Sequence, residues 1–167
     1  MSGGKTIRRL LVAGCLVFLH MTQADAIMSA PESFDTPVPE KWRAPFAHFL
    51  SEVGVVDAAS MVDASKATPF QDPGGSTERM IFRVLHKDSC SPDMDECLTI
   101  IAHSENDELV ADAMFYAGGK INYGDVVRRV LGRMSAPVLF YSRYQTVSVM
   151  VTAKGFLVRS SPVNEPK

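Results

Sequence analysis

Cysteine is scarce in this chain: Cys15, Cys90 and Cys97 are the only three among 167 residues. So few thiols exclude a disulfide-dense miniature scaffold. The spacing of Cys90 and Cys97, with six residues between them and no second pair, does not fit a structural zinc site. Long apolar runs are missing too. The longest, Leu10 to Leu19, is about half of the ~20 residues a spanning helix needs. An excess of one charge is absent: 17 Lys plus Arg stand against 19 Asp plus Glu, which excludes nucleic-acid binding by bulk charge. There is no G-x-S-x-G elbow, no H-E-x-x-H and no C-x-x-C. Pro73-Gly74-Gly75 and Gly118-Gly119-Lys120 look like phosphate cradles, but neither has the Lys-Ser or Lys-Thr of a P-loop. No cofactor is implied.

What is present begins with an address. Lys5, Arg8 and Arg9 precede the apolar run, and Ala24-Asp25-Ala26 supplies a small-residue cleavage signal. This is the pattern of a secretory signal peptide over residues 1–26, so periplasmic or secreted localisation is expected, with no transmembrane span after cleavage. Val12-Ala-Gly-Cys15 resembles a bacterial lipobox, but the apolar run continues past Cys15, so anchoring there is not expected. Cleavage removes Lys5, Arg8, Arg9, Asp25 and Cys15, leaving 141 residues with net charge −4 and two cysteines. That length suits one domain with its own core. Export suits a Cys90–Cys97 disulfide.

The two cysteines close a short acidic loop between two β-rich runs, Arg79 onwards and Cys97 to His103. The expectation is a β-hairpin with a disulfide at its neck. If the register of Cys90 opposite Cys97 runs unbroken, Val84 faces His103 and His86 faces Ile101. His86, Asp88 and His103 then share one face. Two imidazoles and a carboxylate are a candidate site for a divalent metal or for acid–base chemistry. Asp88, Asp93, Asp95 and Glu96 offer oxygens to calcium, without the spacing or glycine of an EF-hand.

Along the rest of the chain, three prolines predict an extended arm over residues 27–41. A domain over residues 42–160 and a frayed tail over 161–167 follow. Pro45 opens a helix whose Phe46, Phe49, Leu50 and Val53 form one stripe, with His48 off it. A second helix is expected over 55–67, with Val55, Ala58, Ala59 and Val62 inward, and a loop over 68–77. Ser104 to Glu108 turn into a third strand, Leu109 to Ala117. Asp125 to Met134 reads as a helix that sets Arg128, Arg129 and Arg133 apart as a basic stripe, a candidate contact for an anionic surface. Strands are expected at 138–144, 146–152 and 156–160, with Val147, Val149 and Val151 on one side.

The fold class is therefore α+β: an antiparallel sheet of two meanders, helices on one face and one hairpin disulfide. The function expected is an exported, non-catalytic protein that binds a protein or cell-envelope partner. The alternative is a small exported metal-dependent enzyme using His86, His103 and Asp88.

Overall fold

A computed structural model describes residues 32–72, 75–123, 128–130, 133–135 and 137–163. The leader pattern of residues 1–26 lies outside them. The described residues fold as α+β, with two helices and antiparallel strands among them. The strands form two main sheets rather than one.

The described part of the arm is non-helical from 32 to 39, and its last two residues, Glu40 and Lys41, already belong to the first helix. β1 (Glu32–Ser33) pairs further along the chain, and Pro37 makes a bridge to Lys66. Helix α1 (Glu40–Glu52) starts five residues ahead of the expected Pro45, which sits inside it. Burial explains the extension. Trp42, Phe46 and Leu50 recur at helical spacing and are all buried, so the turn carrying Trp42 is drawn onto the core despite the proline. The short α2 (Ala58–Ala64) is capped by the Asp57 carboxylate, which accepts the amide of Ser60 at 3.2 Å. Its inward residues are Ala58, Met61 and Val62. The second helix therefore ends early, and β2 (Lys66–Pro69) occupies part of the expected helix and loop.

The four-stranded sheet runs β2, β3 (Arg79–Arg83), β4 (Glu96–Glu105) and β5 (Glu108–Gly118) in sequence order. Asn106 and Asp107 both take positive φ, the two-residue turn that matches strand twist. Both faces of this sheet are covered. Met80, Phe82, Ile100 and Ala102 join α1 and α2 in one core cluster, with Phe46 stacked on Phe82 at 4.3 Å. Ile81 and Ile101 point the other way, into a second cluster with the five-stranded sheet.

That second sheet is ordered β1, β6 (Lys120–Tyr123), β9 (Val138–Tyr141), β10 (Gln145–Thr152) and β11 (Gly155–Pro162). The expected alternation in β10 holds: Val147, Val149 and Val151 are buried. Between β6 and β9, the helix expected over 125–134 is overturned at its described residues: β7 (Arg128–Val130) and β8 (Arg133–Ser135) pair as antiparallel strands, while 125–127, 131 and 132 lie outside the described residues. Val126, Val127 and Val130 are β-branched and poor helix formers. The basic stripe thus loses its helical basis, because its three arginines occupy strand positions.

A β-bulge at Ile101/Ala102 splits β5. Leu109 and Ala111 serve the helix-side cluster, whereas Ala113, Phe115 and Ala117 serve the cluster between the sheets. At the end of β5, Gly118 and Gly119 carry the chain from one sheet into the other. A Cβ on Gly118 would run into the Tyr141 carbonyl, so the crossing needs a residue without one. Among the described residues no helix is long and apolar enough to cross a membrane.

Candidate functional site

Cys90 and Cys97 form the expected disulfide and face each other across an isolated antiparallel bridge. Their register does not continue into the strands. Arg79, not Val84, is opposite His103, and Ile81, not His86, is opposite Ile101. The excursion lies between Val84 and Ser89. The Val84 amide donates to the Leu98 carbonyl at 2.9 Å, and the Leu98 amide donates to the Ser89 carbonyl at 2.6 Å. Both ends of the excursion converge on Leu98, and the residues between step out of the ladder.

The proposed histidine site is therefore not assembled. His86 sits in the excursion, where its Nδ1 accepts the Asp88 amide at 3.3 Å and lies 3.5 Å from the Asp88 carboxylate. It lines a cavity of about 560 Å³ against the turn between α1 and α2. His103 lies in β4 and pairs with Asp112 at 3.0 Å; Arg79 reaches the same carboxylate oxygen, also at 3.0 Å. Asp72 adds a second carboxylate to Arg79 at 3.4 Å. This largely buried polar network ties β3, β4 and β5 together. Among the described residues, no three His, Cys, Asp or Glu side chains gather into a metal-binding group. His48, off the helix stripe as expected, is exposed beside Glu52 at 3.4 Å.

The acidic loop does something else with its oxygens. Asp93 accepts the Tyr144 hydroxyl at 2.6 Å and the Ser91 hydroxyl at 2.7 Å, with Arg143 at 3.7 Å. These bonds, led by that of Tyr144, hold its carboxyl down at about 2. The same bond pushes the Tyr144 phenol up. Asp95 accepts the Arg143 amide at 2.5 Å, and Glu96 accepts the Ser142 hydroxyl at 2.5 Å. Ser142 in turn receives the amides of Tyr144 at 3.1 Å and Gln145 at 2.9 Å, which folds the β9–β10 turn around its own oxygen. One loop is stapled to another that is distant in sequence.

Beneath this joint lies an open cavity of about 520 Å³. Its wall includes Phe34, Met94 and Tyr141, the carboxylates of Asp35 and Asp95, and the cations of Arg83, Lys120 and Arg143. Arg83 comes from the end of β3. Its Nη2 donates to the carbonyls of Met94 at 3.2 Å and Asp95 at 3.1 Å. Its Nε is buried with no hydrogen-bond partner among the described residues. Burial pushes the Arg83 pKa down, and the nearby Asp95 charge opposes that shift. The guanidinium rests where a Cβ on Gly119 would stand. Sequence reasoning missed this site. Arg83 alternates with Met80 and Phe82 as an ordinary strand residue, and the groups around it come from four separate segments.

No family model, no curated protein and no solved structure matches this chain.

Proposed function

We propose that this is an exported, disulfide-bonded binding protein that engages a protein or cell-envelope partner at the cavity beneath the joined loops. The observation that carries this reading is the investment in that joint. Asp93, Asp95 and Glu96, each able to sit solvated, are spent on Tyr144, Arg143 and Ser142, which fixes the walls of an open cavity. A recognition surface organised before binding loses less conformational entropy on association. The leader pattern and the disulfide favour an oxidising compartment outside the cytosol.

The test is made in an exporting bacterial host. The purified chain should weigh as residues 27–167 less two hydrogens; a full-length or free-thiol mass overturns the export reading. A photoreactive amino acid is then placed at Met94, on the cavity wall, or at Val158, exposed on β11. Irradiation of intact cells should give discrete adducts from position 94 and none from 158. Identical adducts from both positions, or none from 94, overturn the cavity as the contact.

A further inference from the structure

Resting on that reading and deepening it, we propose that the cavity binds a small oxyanion, a carboxylate or a phosphate, on the Arg83 guanidinium, with Lys120 and Arg143 at the mouth. Arg83 keeps its positive charge at any physiological pH. Its protein partners answer that charge only in part. The two carbonyls on Nη2 are neutral, Nε has no partner among the described residues, and the nearby Asp95 carboxylate acts on the guanidinium through its charge while making its hydrogen bond to the Arg143 amide. A half-buried cation so placed gains from an anion that brings charge and hydrogen-bond acceptors together.

The surroundings point the same way. The cavity wall carries three cations against two carboxylates in a chain whose overall charge is −2, so it is locally positive. Gly119 leaves the space the guanidinium occupies; any side chain there would displace it. Arg143 is partly engaged by Asp93 at 3.7 Å, which leaves Lys120 as the more available cation of the mouth. Phe34, Met94 and Tyr141 give the remainder of the wall an apolar character suited to the body of a molecule that bears the anionic group.

The experiment uses the exported, oxidised protein labelled with ¹⁵N. Sodium phosphate and sodium acetate are titrated separately at constant ionic strength, and the amides of Gly119, Lys120 and Ser142 are followed. Saturable shifts at these amides are expected, lost in Arg83→Gln and weakened about two- to fivefold in Lys120→Gln. Tighter binding of phosphate identifies a phosphoryl group as the natural ligand chemistry; binding of acetate at least as tight identifies a carboxylate. Shifts that stay linear to about 50 mM with both probes, far above a millimolar Kd, overturn the proposal. So do saturable shifts that Lys120→Gln leaves unchanged, a result that stands even if Arg83→Gln does not fold. If the position-94 adducts persist while the titrations fail, the partner contact stands without an anion, so the two failures are distinguishable.

Discussion

At Asp93, two hydroxyls, one backbone amide and an arginine converge on a single carboxylate. An ordinary aspartate titrates near 3.9, and this one is held at about 2. Because the folded value is depressed, its contribution to stability is full above the unfolded pKa and is lost as pH falls towards the folded one. The comparison is between wild type and Asp93→Asn, by urea unfolding at a series of pH values. Wild type should be the more stable by a constant margin above about pH 5, and the margin should shrink as pH falls from about 4 to about 2. A margin that stays flat, or grows on acidification, would show that the held species is not the carboxylate. The sequence offered Asp93 only as one of several loop oxygens. Its partner Tyr144 lies 51 residues away, and local spacing carries no information about a contact formed by two loops meeting.

Among the elements, those with strict periodicity were legible and those decided by tertiary contact were not. β10 declared itself through Val147, Val149 and Val151, and the β4–β5 hairpin through the Asn106–Asp107 turn. The helix expected over 125–134 failed at its described residues, 128–130 and 133–134, which lie in paired strands; a β-branched residue such as Val130 suits a strand at least as well as a helix. The histidine site failed for a different reason. A disulfide fixes a local pair but not the register beyond it, and the excursion at Val84–Ser89 absorbs five residues before the ladder resumes. The crossing from β5 to β6 was hidden behind a motif comparison: Gly118-Gly119 is not a phosphate cradle but a passage past the backbone of Tyr141 and the side chain of Arg83. The two glycines should therefore respond differently. Gly118→Ala meets rigid backbone and should cost about 3 kcal/mol or more in chemical denaturation. Gly119→Ala meets the end of a flexible side chain and should cost about 1 kcal/mol, while weakening anion binding at Arg83. Equal costs for the two variants would mean that the backbone passage at Gly118 does not control the crossing.

For the molecule as a whole, the central sheet is shared property. Phe82 and Ile100 face the helices, and Ile81 and Ile101, their immediate neighbours in sequence, face the second sheet. Neither core cluster can come apart without exposing strands that the other needs, so the three layers should unfold as one unit. The chain has a single tryptophan, Trp42, buried on the helix side at 5.8 Å from the Phe82 ring. Phe140 lies in the opposite layer, buried against Phe115. Phe140→Ala leaves the surroundings of Trp42 untouched and should destabilise the protein by about 3–5 kcal/mol. If the layers are coupled, Trp42 fluorescence should report that loss in full, with a urea midpoint that falls together with the far-ultraviolet dichroism. If the fluorescence midpoint stays where it was while the dichroism midpoint falls, the helix layer is holding its own core, and β3 and β4 do not transmit stability between the faces. The same coupling bears on the cavity. Arg83 continues the strand that holds Ile81 and Phe82, so any event that loosens either core reaches the guanidinium through one strand of five residues.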